Sequence, residues 1–108
     1  MRNSFEQKAR RHYRLRGYRI LGTNVWIGAY ELDLVVRRGR ALAFVEVKSK
    51  SGDRVGDPLE MVGPEKQRRL RQAAQAWLAA HPEAVGLEAR FDVVAVRGGR
   101  LECVRQAF

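Results

Sequence analysis

Two apolar runs three residues apart, YELDLVVR at 30–37 and ALAFVEVKSK at 41–50, constrain this chain more than any other feature. Their alternation and β-branched content read as strands, and so short a gap around Gly39 closes as a β-hairpin. Arg38-Gly39 is the expected turn, which pairs Arg37 with Arg40, Asp33 with Phe44 and Glu31 with Glu46. Leu32, Leu34 and Val36 then face one way, and Glu31, Asp33 and Val35 the other. Cross-strand partners share a face, so Glu31, Asp33, Glu46 and Lys48 are expected on one side of the sheet. A turn of odd length would put Asp33 on the opposite side from Glu46.

The rest of the chain frames this hairpin. Ser4 to about Arg16 has helical spacing, with Ser4 or Asn3 as cap, Phe5, Ala9, His12 and Tyr13 on a broad face, and Gly17 as the stop. YRILGTN (18–24) predicts a first strand. SGDRVGDPLEMVG (51–63) is a polar loop with Gly and Pro, suited to lie at a site. Pro64 suits the first turn of a helix running to about Ala80, with Leu70, Ala73, Ala74, Trp77 and Leu78 inward and Arg68, Arg71, Gln72 and Gln75 outward. RFDVVAVR (90–97) and RLECV (100–104) predict two more strands joined at Gly98-Gly99. The order αβββαββ, without repeat or linker, predicts one α/β (α+β) domain over residues 1–108 whose sheet packs against its helices.

Lys and Arg number 21 against 12 Asp and Glu, a formal net charge of +9. Lys occurs only at 8, 48, 50 and 66, so the charge is mostly Arg, whose planar fork suits bidentate phosphate contacts. Clustered Arg is the footprint of a nucleic-acid binder. A solvated surface and adhesion to anionic lipid stay open on charge alone. The lone Cys103 excludes an internal disulfide, reads as a small apolar strand residue, and fits a reducing cytoplasm. No apolar run approaches a membrane span. The opening MRNSFEQKARRHYRLRG is basic like a transit peptide, but Glu6, scarce Ser and the lack of a cleavage site favour reading it as part of the fold.

Three carboxylates gathered on one face repel each other, and partial burial sharpens the conflict. A divalent cation resolves it by ligating the oxygens in ionised form. Mg²⁺ (or Mn²⁺) suits a hard-oxygen set of one or two carboxylates completed by waters and a phosphate. Zinc does not suit it, since the chain has only His12, His81 and Cys103 as softer donors. Lys48 is then placed to orient water or to neutralise charge growing on a phosphate. The same residues also suit an ion-pair ladder on a solvated sheet face. Against that ladder, Leu42 and Phe44 share the Glu46 face, and a strongly basic chain gives a metal–phosphate site a natural substrate.

Leu32-Asp33, followed thirteen positions later by Glu46-Val47-Lys48, resembles the PD-(D/E)XK nuclease signature. YELDLV, FVEVKSK, the Lys66 helix, RFDVV and the terminal Ala107-Phe108 together resemble the YraN-type family of small bacterial proteins, grouped with predicted endonucleases and similar to archaeal Holliday-junction resolvases. The resemblance implies a restriction-endonuclease-like core, a mixed sheet flanked by helices. It implies Asp33 and Glu46 as metal ligands, the Val47 carbonyl as a further ligand, Lys48 as the catalytic lysine, and Glu6 as a residue completing the site. Glu6 otherwise reads as a surface charge favourable to the helix dipole. Glu31 matches a family position, with a role in holding waters or basic side chains. Lys66 is expected at the sheet-facing start of its helix, reaching the site or a phosphate, or snorkelling over the core. Two positions depart from the family, which usually has Gly where Phe5 and Tyr30 stand; Tyr30 adds bulk and a stacking ring beside the acidic residues.

The expected activity is Mg²⁺-dependent hydrolysis of DNA, branched or flapped, with Arg10, Arg11, Arg14, Arg68 and Arg71 on the backbone phosphates. Resolvase-like relatives act as dimers, so a homodimer is part of what the resemblance implies. The alternatives are a non-catalytic nucleic-acid-binding module keeping the nuclease fold, and a protein- or membrane-surface domain. For the last, no lipid-type amphipathic helix is present in the sequence.

Overall fold

The computed structural model describes residues 4–50 and 62–108. Helix α1 (Ser4–Leu15) leads into β1 (Arg19–Ile27), β2 (Tyr30–Arg38) and β3 (Ala41–Lys50). Helix α2 (Pro64–Ala80), a 3-10 turn (Pro82–Ala84), β4 (Glu88–Arg97) and β5 (Arg100–Val104) follow. The element order is the expected αβββαββ. The five strands make one sheet in the order β1-β2-β3-β4-β5. All neighbours are antiparallel except β3 and β4, which run parallel. Parallel neighbours need a crossover, and α2 lies within it. The fold is therefore a mixed α+β sheet with a helix packed on each face.

Strand periodicity divides the interior in two. On one face Leu32, Val35, Leu42, Phe44 and Val93 pack beneath Leu70, Ala73, Ala74 and Trp77 of α2. On the other, Leu34, Val36, Ala43, Val45, Val94 and Val96 pack against Ala9 and Tyr13 of α1 and against Tyr18. Phe44 meets Trp77 edge-on, with ring centroids 5.6 Å apart. The inner face of α2 is the one its spacing predicted. On α1, Ala9 and Tyr13 are buried as expected, whereas Phe5 remains exposed.

The α1 layer is pinned by a carboxylate. Asp92 on β4 is fully buried. It accepts hydrogen bonds from the Tyr13 hydroxyl at 2.7 Å, from Arg90 Nε and Nη2 at 2.9 and 3.1 Å, and from the Gln106 backbone N–H at 3.1 Å. Arg90 also donates to the Tyr18 hydroxyl at 2.8 Å. Burial first, and the Asp92 charge second, push the Tyr13 phenol far above its ordinary pKa, so it stays a donor. Cys103 is half-buried on β5, 3.6 Å from the same hydroxyl, as a small strand residue.

Three expectations need correction. First, the β2–β3 turn is Gly39-Arg40, not Arg38-Gly39: the ladder runs Arg38 to Ala41, Arg37 to Leu42, Val35 to Phe44 and Leu34 to Val45. Gly39 has φ 60°, and the first position of a tight hairpin turn is where such a residue is wanted. The shift is even, so the paired residues from Leu34 to Val45 keep their faces. Continued one step, the register puts Asp33 rather than Glu31 beside Glu46.

Second, Leu32 does not share a side with Leu34 and Val36: it packs with Val35 in the α2 core, and Glu31, between Tyr30 and Leu32, is joined through Asn24 to Glu6 of α1 instead of sharing the Glu46 side as expected. The β2–β3 ladder ends at Leu34 and Val45, and beyond it the Asp33 carboxylate takes the Val47 N–H at 2.9 Å. A side chain has replaced the strand partner, and the alternation slips there. Third, β1 continues past Asn24 to Ile27 before turning at Gly28-Ala29. A bulge between Ile20 and Gly22 bends it, and a Cβ on Gly22 would stand 2.7 Å from Val25 Cγ2. Of the expected 51–63 loop, all but buried Val62 and Gly63 lies outside the described residues, as does Asn3. Among the described residues, no helix is long and apolar enough to cross a membrane.

Candidate functional site

Strand β3 carries its apolar residues only as far as Val45 and Val47 on the α1 side and Phe44 on the α2 side. The next α2-facing residue is Glu46, which is only 3% exposed. Burying a lone carboxylate is costly, and compensation comes from two ammoniums. Glu46 Oε2 lies 3.1 Å from Lys48 Nζ, on the same strand, and 3.4 Å from Lys66 Nζ, in the first turn of α2. Both lysines are about one-third exposed. Glu46 Oε1 is buried and, among the described residues, has no hydrogen-bond partner.

Asp33 stands against this carboxylate from the neighbouring strand. Burial first, and the Glu46 charge second, raise its carboxyl to about 7, while the Val47 N–H pulls the other way. The two carboxyls are close enough to share a proton. The site thus holds, on adjacent strands, two carboxylates that cannot both ionise at little cost. Among the described residues, and apart from the proton the pair shares, Glu46 Oε1 meets no donor, which leaves it open to a cation that displaces that proton.

Asp33 separates two clefts. A polar one of about 190 Å³ is lined by Phe5, Glu6, Asn24, Glu31, Asp33, Val47 and Ser49. There the Asn24 amide donates to Glu6 Oε2 at 2.6 Å and to Glu31 Oε2 at 3.1 Å, tying α1 to β2 through two carboxylates. The second, of about 210 Å³, opens on the α2 side between the β1–β2 hairpin and Lys66.

The expected residues divide accordingly. Asp33, Glu46, Lys48 and Lys66 come together, with the Val47 backbone between them; Glu6 and Glu31 line the adjoining polar cleft. Arg11 and Arg14 are exposed on α1, but Arg10 is only 6% exposed, on the buried side beside Ala9, and is not on the outward Arg face. Arg68 is exposed and held in a fork by Glu65, at 3.2 and 2.6 Å. The Arg71 guanidinium sits over the Phe108 ring, 5.3 Å from its centroid. Asn24 is the residue that sequence reasoning missed. Its φ of 49° is a left-handed conformation that Asn tolerates better than most residues, and an Asn interrupting YRILGTN is the signal that was available.

Among the described residues, no three His, Cys, Asp or Glu side chains form a ready-made metal cage. Two carboxylates and a backbone carbonyl nevertheless fit Mg²⁺, which keeps waters and substrate oxygens in its other positions. The unpartnered Glu46 oxygen supports that fit.

The raised Asp33 pKa gives a pH dependence with a definite sign. The folded chain holds this proton more tightly than the unfolded chain, whose Asp titrates near 3.8. Stability of the metal-free protein is therefore expected to fall as pH rises from about 4 to about 7, on the order of 1–3 kcal/mol from this group, and then to level. A divalent cation held by the two carboxylates would oppose that loss, so Mg²⁺ is then expected to raise the melting temperature more at pH 8 than at pH 6. Melts of the native chain and Asp33→Asn with EDTA or Mg²⁺ check this, since the difference cancels the contribution of His12, whose own pKa is lowered by burial and Arg16. An equal Mg²⁺ effect in both proteins would sink the assignment.

The sequence model of the uncharacterised protein family UPF0102 matches residues 5–96, which takes in Glu6, Glu31, Asp33, Glu46, Lys48 and Lys66 and leaves Ala107-Phe108 beyond it. A UPF0102 protein of Shewanella amazonensis is 38% identical over 103 residues, covering 95% of this chain and 94% of that one. One from Rhodopseudomonas palustris is 43% identical over 93 residues, covering 86% and 67% respectively. One from Yersinia pseudotuberculosis is 39% identical over 105 residues, covering 96% and 90%. Matched from α1 through β4, and along nearly its whole length by proteins of similar size, the chain belongs to the UPF0102 family, the YraN-type family that its flanking segments resemble.

Proposed function

We propose that this chain is a Mg²⁺- or Mn²⁺-dependent endonuclease that hydrolyses DNA phosphodiester bonds. The observation that carries the reading is the buried Glu46 carboxylate, with one oxygen unpartnered and the other against two ammoniums, set beside Asp33. Asp33, Glu46 and the Val47 carbonyl are the groups that would hold the metal. When bound, it supplies polarisation of the phosphate and acidification of water. Lys48 and Lys66 bring positive charge to the same place, where a phosphate passing to its transition state gains charge. The Val47 N–H fixes the Asp33 carboxylate, so one of its oxygens is held in place before substrate arrives. Asn24 holds Glu6 and Glu31 at the edge of the site. Exposed Arg11, Arg14, Arg68 and Arg71 provide sequence-independent attraction for the backbone.

The test is a cleavage panel of duplex, single-stranded, flapped and branched DNA with Mg²⁺, Mn²⁺ or EDTA. Metal-dependent strand scission is expected. Salt-sensitive binding without scission on any substrate would favour a non-catalytic nucleic-acid-binding module instead.

A further inference from the structure

Trp26 lies on β1, at the edge of the sheet, and is 66% exposed. Its cross-strand partner is Glu31. A solitary exposed aromatic calls for no explanation. Trp26, however, lines the cleft of about 210 Å³ that also contains Tyr30, Glu31, Asp33, Lys66 and Arg69. The contrast with Trp77 is sharp: that indole is 3% exposed and stacked on His81 at 3.8 Å.

The cleft is chemically divided. Trp26 and Tyr30 line it from the hairpin, the cations Lys66 and Arg69 from α2, and Asp33 and Glu31 complete the lining. Arg69 is loosely tied, with Nε 3.8 Å from an exposed Glu65 oxygen. Phosphate is attracted to the α2 side and repelled by the carboxylates. The hairpin side accepts an apolar, planar group. A nucleotide has both halves, a charged phosphate and a flat base. In a duplex the base faces are already stacked on one another, so a ring on a cleft wall cannot cover them; an unpaired base offers a free face.

We infer that this cleft takes one unpaired nucleotide of DNA, its base stacked on Trp26 and its phosphate held by Lys66 and Arg69. The inference rests on the nuclease reading for the presence of DNA, and it makes the substrate one with single-stranded character next to the site of cleavage.

The test separates the two ideas. In EDTA, where no cleavage occurs, a short oligo(dT) should quench the exposed indole, whereas a blunt duplex of equal length should not. Trp26→Ala should weaken oligo(dT) binding about tenfold, as loss of one stacked base does, and change duplex affinity less than about twofold. Trp26→Phe, which keeps a ring, should restore most of the difference. Equal weakening of both ligands by Trp26→Ala, or of neither, overturns the inference. If oligo(dT) binding depends on Trp26 but no DNA is cut with any metal, the cleft assignment stands and the nuclease reading fails. If duplex is cut and Trp26→Ala leaves oligo(dT) binding unchanged, the nuclease reading stands and the cleft assignment fails.

Discussion

Asp33→Asn is expected to lower metal-dependent DNA cleavage by about a thousandfold or more, while DNA binding in EDTA stays close to that of the native chain. The size follows from the several kcal/mol of charge stabilisation that a correctly held metal contributes, each 1.36 kcal/mol being tenfold in rate. Asn is the informative replacement because it keeps an oxygen for the Val47 N–H, which Ala would strand. It also removes the repulsion with Glu46, so the metal-free variant should melt no lower than the native chain above pH 7. Loss of function without loss of stability is the signature of a strained site. Glu46→Gln should have the same effect on cleavage, since it replaces the carboxylate bearing the unpartnered oxygen. Single-turnover cleavage and melting curves on the same preparations provide both readouts. Undiminished cleavage in either variant removes the pair from the mechanism.

The second large effect is on stability and arises away from that site. Asp92→Ala would leave the Tyr13 hydroxyl, the Gln106 N–H and the largely buried Arg90 guanidinium without their shared acceptor. Breaking a buried ion pair from one side costs about 3–5 kcal/mol. Against a total stability of roughly 5–15 kcal/mol, that brings much of the population to the edge of unfolding. The melting temperature should fall by about 15 °C or more. Tyr13→Phe removes one donor and leaves Asp92 paired with Arg90, so its cost should be nearer 1–2 kcal/mol. Equilibrium denaturation of the two variants checks the ranking. Equal midpoints would mean that the buried network does not hold α1 to the sheet.

The elements and the meeting of Asp33 with Glu46 were legible in the sequence for a simple reason. Alternation sets the face of a strand residue, and only the parity of the turn decides which faces meet. The register itself was not legible. Arg38-Gly39 and Gly39-Arg40 are both two-residue turns of the right parity, and the left-handed conformation of Gly39 at the first turn position separates them only in three dimensions. Leu32 was misplaced because a strand was assumed to pair through the strand partner's backbone, whereas Asp33 pairs through its carboxylate.

Asn24 and Asp92 escaped because their partners come from far along the chain. Asn24 reaches Glu6, 18 residues away, and Asp92 reaches Tyr13, 79 residues away. Arg10 looks like its neighbours in composition, yet it follows Ala9 on the side of α1 that meets the sheet. Periodicity shows which face is apolar and does not show that a long cation has been folded beneath it.

The Asp92 clasp also sets an order in time. Helix α1 is synthesised before the acceptor for its Tyr13, which comes only with β4, and the Gln106 N–H that completes the set comes later still. Until then α1 lacks its buried anchor and is tied to the strands near the site through Asn24, which bridges Glu6 and Glu31. A nascent chain thus carries the acidic residues of the site before it carries the clasp that seats α1 on the sheet.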